Sequence, residues 1–180
     1  LKTSTFVLAR HRVVWLLVLM ISATFTGSII KHFEDVLAKV VILAAFIPML
    51  MDTGGNAGSQ SATLIIRGLA LGEIQISDFL RIVWKEARVS ILVGVTLAVF
   101  NFLRIYLFEK TPLLIAVTVC STLVITIFLA KVIGGILPIV AKKLKFDPAM
   151  MAAPLITTIV DAMSLATYFT LASVLLKIQT

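Results

Sequence analysis

A chain of 180 residues that is 60% hydrophobic and only 14% charged, with a mean hydropathy of +1.11, is not a soluble domain, in which about a quarter of the residues carry charge; it is an integral membrane protein. The net charge of +7 does not indicate nucleic acid, because the basic residues flank apolar runs instead of interleaving with polar ones in a patch. The single cysteine, Cys120, lies in an apolar run and excludes both an internal disulfide and a cysteine metal cluster.

A membrane span needs about 20 apolar residues, and the sequence predicts five spans. The first covers 13–30, between Arg10 and Arg12 on one side and Lys31 on the other. The second covers 36–71 and contains Pro48 and a glycine-rich polar segment. Before the third, residues 76–90 place Ile76, Phe79, Leu80, Val83 and Trp84 at helical spacing, with Arg81, Lys85 and Arg88 on other faces. This predicts an amphipathic helix on the membrane surface, with Ser77 as its N-cap. The third span covers 89–108, the fourth 112–140 and the fifth 148–176. Asp147 and Pro148 open the last as N-cap and first-turn proline. The fold class expected is therefore all-α and polytopic.

Loop charge sets the expected orientation. Arg10, Arg12, Arg67, Arg81, Lys85, Arg88 and the cluster Lys142, Lys143 and Lys145 share one side, against Lys31, Lys39, Arg104, Lys110 and Lys177 on the other. The richer side should face the cytoplasm. That puts the N-terminus inside and the C-terminus outside the cell membrane. The histidines, His11 and His32, sit at predicted membrane edges in no ligand spacing.

Two polar interruptions stand out. Asp161 is the only charge in its span, and a carboxylate at the membrane midplane costs ~3 kcal/mol or more unless it faces a pathway or a partner. Thr157, Asp161, Ser164 and Tyr168 share one helical face, with Thr158 beside it. Pro154 lacks an N–H and so frees a backbone carbonyl one turn earlier. In the second span Asp52, Asn56, Ser59, Gln60, Thr63 and Arg67 fall on one face, and Gly54, Gly58 and Ala62 form a small-residue stripe next to it. Gly55 adds to the flexible, carbonyl-exposing backbone there. Carboxylate, hydroxyl and carbonyl together make an oxygen environment suited to Mg²⁺ or Ca²⁺, and Mg²⁺ keeps several of its waters. The plainer readings are a close helix crossing in the second span and an Asp161 that is protonated or neutralised by Lys131. Lys131 and Asn101 themselves read as ordinary intramembrane polar groups, with Lys131 snorkelling to an interface.

The run Pro48-Met49-Leu50-Met51-Asp52-Thr53-Gly54-Gly55-Asn56-Ala57-Gly58-Ser59-Gln60-Ser61-Ala62-Thr63 resembles the signature of the MgtE magnesium channel family. Asp147-Pro148-Ala149, followed by Pro154, Thr157, Thr158 and Asp161, resembles that family's last membrane helix. The resemblance covers essentially the whole chain. It implies a homodimer with five membrane helices per subunit and one pore on the twofold axis. It implies Mg²⁺ as the transported ion, largely hydrated and held by the aspartate that matches Asp161. A backbone carbonyl at Thr157 would join it, and Asn56 and Gln60 would line the pore. With the face reading above, Thr63, Thr158, Ser164, Gly54, Gly55, Gly58 and Pro154 complete the expected pore lining. Ala153 departs from the pattern, in which asparagine commonly precedes the proline. The resemblance further implies that residues 1–12 are a cytoplasmic connecting segment and 13–180 the pore domain. In the full-length protein, cytoplasmic N and CBS regulatory domains would precede them.

Two other functions are compatible with these residues. A midplane acid also serves a cation-coupled secondary transporter, although no inverted repeat is visible. Asp52-Thr53-Gly54 matches the triplet of aspartic proteases, and Asp161 could supply a second carboxylate. In the intramembrane class, however, the glycines precede the aspartate, whereas here they follow it. No enzymatic activity is expected.

Overall fold

The computed structural model describes residues 5–178, and among these it contains helices and no strand. The fold is all-α and polytopic. Helix α1 (Thr5–His32) ends with Lys31 and His32 in its last turn, where cations complement the helix dipole. A short α2 (Glu34–Lys39) follows, with Glu34 and Asp35 in its first turn. Val40, at φ −135° and ψ 73°, lies outside the helical region and breaks the helix, and Val41–Phe46 forms a 3₁₀ segment. Then comes α3 (Ile47–Leu71), with Pro48 in its first turn, where no intrahelical N–H bond is lost.

Helix α3 stops at Gly72, whose φ of 74° is left-handed and favours glycine. The chain turns back so that Ile74 N–H reaches Gly68 C=O at 3.1 Å. The next turn begins at Gln75, ahead of the Ser77 cap expected from the sequence, because Asp78 Oδ2 accepts from Gln75 N–H at 2.9 Å. Helix α4 (Phe79–Leu103) runs without interruption and passes into a π-helical turn, Arg104–Phe108. The stretch read as a surface helix and the third span are thus one element. Leu80 and Trp84 face outward, and Arg88 stacks over the Trp84 ring at 5.9 Å. The inward stripe is Ile82, Glu86, Ser90, Gly94 and Ala98. Its small members let α4 lie close to its neighbour, as helices in lipid prefer.

That neighbour is α5 (Leu113–Lys143), the central helix, which packs against α3, α4 and α6. Helix α6 (Pro148–Leu175) starts as expected, with Asp147 accepting from Ala149 N–H at 2.9 Å. It lies against α5 and α3, and α1 packs along it. Four helical stretches are long and apolar enough to cross a membrane, and Leu16–His32 is a shorter apolar helix. Those five elements correspond to the five spans read from the sequence.

Tyr168 illustrates how the irregular segment is held. It is fully buried, and its hydroxyl donates to Leu43 C=O at 3.0 Å, tying α6 to the 3₁₀ turn before α3. Helical spacing had placed Tyr168 on the Asp161 face; it serves the core instead. Replacing the tyrosine by phenylalanine leaves that carbonyl without its donor in an apolar setting. The thermal midpoint of Tyr168→Phe in detergent should fall by roughly 3–10 °C, with helix content unchanged by circular dichroism.

Candidate functional site: a polar groove between α3 and α6

The site arises from how closely α3 approaches α5 and α6. A Cβ at Gly134 would lie 2.2 Å from the Gly58 carbonyl oxygen, so these two backbones touch. A Cβ at Gly58 would lie 2.6 Å from Ile156 Cγ2, and one at Gly54 would lie 2.7 Å from Thr126 Cγ2 and 2.8 Å from Val160 Cγ1. The glycine stripe is therefore consumed by the helix crossing. Because α3 turns its small face inward, its polar face is left outward, beside α6.

Along that face runs an open groove in three connected parts. The first, about 240 Å³, is lined by Met51, Asp52, Gly55, Asn56, Ser59, Thr157 and Asp161. The second, about 660 Å³, is lined by Asn56, Ser59, Gln60, Thr63 and Leu64. The third, about 370 Å³, is bordered by Ser59, Ala62, Thr63, Ile66, Arg67, Ala70 and Ala149. Ser59 belongs to all three. The groove thus leads from Asp161, in the middle of α6, to Ala149, in its first turn.

The structure brings together several of the residues expected from the sequence. Asp161, Thr157, Gly55 and Asn56 border one depression, and Gln60 and Thr63 the next. Asn56 Nδ2 donates to Asp52 Oδ2 at 3.1 Å, one helical turn back. The hydroxyls of Thr157 and Thr158 both donate to Pro154 C=O, at 3.0 and 3.1 Å. Both act as donors there. Other expected residues lie behind the groove. Gly54 and Gly58 are buried at the crossing, and Ser164 is buried against Gly54, where its Oγ has no hydrogen-bond partner among the described residues. Pro154 is half-buried within α6. The Ala153 side chain lies outside the described residues.

Two lining residues, Asp52 and Ser59, were legible as members of the polar face but not as site residues. The polar groups missed altogether are Glu86 and Ser61, joined by a 2.6 Å hydrogen bond between α4 and α3. Only the four-residue spacing of Glu86 with Ile82 and Ser90 could have signalled that it points inward. Lys131 is also buried, at 6% exposure; among the described residues no ion pair joins it to Asp161.

Chemically, the first depression offers two carboxylates, an amide oxygen and hydroxyls, an oxygen set suited to a hard cation. Among the described residues, no group of three or more His, Cys, Asp or Glu side chains gathers. The groove's anionic groups are therefore Asp52 and Asp161. An all-helical, multi-pass membrane protein with a carboxylate-bearing polar groove open along one flank has the architecture of the class that moves ions or small polar solutes.

The comparisons make the family specific. The family model described as "MgtE: Divalent cation transporter" matches residues 47–171. The chain is 40% identical over 166 residues to a "Magnesium transporter MgtE" of Thermus thermophilus, covering 92% of this chain and 36% of that protein. It is 39% identical over 171 residues to the protein of the same name from Bacillus subtilis, covering 95% and 38%. With the Enterococcus faecalis protein of that name it shares 31% over 170 residues, covering 94% and 37%. The chain belongs to the MgtE family. It spans little more than a third of the length of these relatives.

The contacts separate the glycines by role. Gly134→Ala forces a methyl group onto a backbone carbonyl that cannot move aside, and should abolish the monodisperse peak in size-exclusion chromatography. At Gly55 the nearest atom to an added Cβ is Thr157 Cγ2 at 3.5 Å, an ordinary contact. Gly55→Ala should therefore fold normally, with stability unchanged or raised by up to about 1 kcal/mol.

Proposed function

We propose that this chain conducts Mg²⁺ across the cell membrane, through a pore formed when the α3–α6 grooves of two copies face one another about a twofold axis. The observation that carries the proposal is the continuous polar groove, open on one side, that leads from Asp161 along α3 in a membrane protein of this family. A groove open to lipid would expose Asn56, Ser59, Gln60 and Asp161 at great cost. A second copy closing it would enclose water instead, and a twofold dimer is the commonest closed assembly. It would bring two Asp161 carboxylates towards one axis. Like charges there repel, and a divalent cation relieves the repulsion better than a monovalent one. Mg²⁺ sheds water reluctantly, so hydroxyls, amides and carbonyls at Thr157, Asn56 and Gln60 would act on a hydrated ion.

In this reading residues 1–12 are the cytoplasmic connecting segment, and 13–180 form the pore domain. The cytoplasmic N and CBS regulatory domains of the full-length protein precede α1. The N-terminus faces the cytoplasm and the C-terminus the outside. A second reading starts from Asp52 and Asp161 bordering one depression; a two-aspartate protease would need them close enough to share a proton. It differs in its product: peptide cleavage that persists when ion flux is abolished.

The test is Asp161→Asn, which keeps the shape and removes the charge. In liposomes with a clamped potential and an internal Mg²⁺ dye, its flux per folded protein should fall at least ~10-fold, equivalent to ~1.4 kcal/mol. Wild-type flux in that variant would refute a charge-based ion site. Flux that follows an imposed proton or Na⁺ gradient and not the potential would favour coupled transport. Asn56→Ala adds no volume and removes a groove amide. It should assemble normally while changing Mg²⁺ flux per folded protein, and a fall in thermal stability with flux unchanged would remove Asn56 from the pore.

A further inference from the structure

The charges that border the groove are not spread evenly along it. Asp52 and Asp161 line its first depression, and Arg67 lines the last, beside Ala149 in the first turn of α6. Between them the polar lining is neutral: Asn56, Ser59, Gln60 and Thr63. From Asp52 to Arg67 the helix rises about 22 Å, at ~1.5 Å per residue. The Debye length in physiological salt is ~8 Å. In a water-filled path the acids at one end therefore do not cancel the cation at the other.

Arg67 is exposed, and among the described residues no hydrogen bond or ion pair engages its guanidinium. Asp147, two residues before Ala149, caps α6 by accepting from Ala149 N–H and forms no ion pair with Arg67. The backbone that carries Arg67 is held from its other side. Gly68 packs against the Ile74 side chain, and Lys142 Nζ donates to Leu69 C=O at 3.2 Å. Arg67 falls one turn after Thr63 on the same face of α3, so the packing that turns Gly58 and Gly68 inward leaves the arginine on the groove side. In the orientation read from loop charge, this is the cytoplasmic end.

We propose that Arg67 from two copies forms a cationic ring at the cytoplasmic mouth of the pore, which repels Mg²⁺ arriving from the cytoplasm and makes the conductance inwardly rectifying. The proposal rests on the conduction reading above and on its orientation. Fixed charge at a pore mouth sets the local ion concentration, and a divalent cation feels it twice as strongly as a monovalent one. Depletion there limits the ions that enter from the cytoplasm. Ions that enter from the far side are collected by Asp52 and Asp161 instead. The groove thus carries an attractive charge at one end and a repulsive one at the other, and the two directions of flow are not equivalent.

The experiment places different charges at position 67 of the full chain. Arg67→Cys is recorded in excised membrane patches with equal Mg²⁺ on both sides. Methanethiosulfonate reagents carrying a positive, zero or negative charge are applied from the cytoplasmic face, and modification is scored by intact mass. Current before and after is compared on the same molecules, so expression and folding cancel. Cys120 is buried, and the wild-type chain treated alike controls for it. The ratio of outward to inward Mg²⁺ current should be lowest with the cationic adduct. With the anionic adduct it should be at least ~3-fold higher at low ionic strength, and the difference should shrink as salt rises. A cysteine at position 67 that no reagent reaches would overturn the proposal, because the side chain would then not border water. Three adducts that give one ratio, or an outward current highest with the cationic adduct, would overturn it too. A wild-type chain without Mg²⁺ current would sink the conduction reading, whereas wild-type current that ignores the charge at position 67 sinks this inference alone.

Discussion

One contact governs the rest: the backbones of α3 and α5 meet where Gly58 and Gly134 leave no side chain between them. Lipid gives helices no hydrophobic reason to associate, so close packing of small residues has to supply the attraction. The glycines of α3 do this, and in doing so they fix which way the helix points. Its small residues are spent on α5 and α6, and its polar residues are left on the flank that borders the groove. Packing and polarity are therefore a single design on this helix, which carries Gly54, Gly58 and Ala62 on one side and Asn56, Gln60 and Thr63 on another.

Polar groups elsewhere in the bundle are handled differently. Thr118 and Thr122 of α5 donate to carbonyls one turn back, at 2.7 and 2.8 Å. Tyr168 reaches Leu43, Lys142 Nζ reaches the Leu69 carbonyl at 3.2 Å, and Thr158 reaches Pro154. These groups are satisfied by backbone, as a low-dielectric interior demands. The groove is where polar side chains from two helices converge on open space. That contrast separates a hydroxyl kept for folding from one available to a solute, and residue type alone does not make the distinction.

This also explains what could be read from the sequence. The spans were legible because an apolar run of the right length has few alternatives. Asp161 was legible because a lone carboxylate in such a run needs a reason. The Asp147 cap follows from local chemistry and appeared where expected. The continuity of α4 was not visible, since the basic residues Arg81, Lys85 and Arg88 made its first turns look like a surface helix. The stripe that buries it, Ile82, Glu86, Ser90, Gly94 and Ala98, mixes polar and small residues and carries no apolar signal. Ser164 and Tyr168 share the helical face of Asp161, yet α6 is covered progressively by its neighbours, so only part of that face borders the groove. Face membership follows from periodicity; exposure depends on the neighbours, which a single helix does not specify.

Helix α3 is thus asked to satisfy two demands at once. Its groove face gains by being open and polar, which weakens any hold on the helix from that side. Its inner face sets small residues among the buried Leu50, Ile65 and Leu69, and side chains of α5 and α6 fill the notches that Gly54 and Gly58 leave. A polar contact from α4 adds to this packing, since a hydrogen bond is directional where apolar contact is not. Ser61 makes that contact: it stands one residue beyond Gln60 in sequence, on the buried side, and is bonded to α4. The acceptor is the buried carboxylate of Glu86, so the side of α3 turned from the groove carries a directional contact as well as close packing.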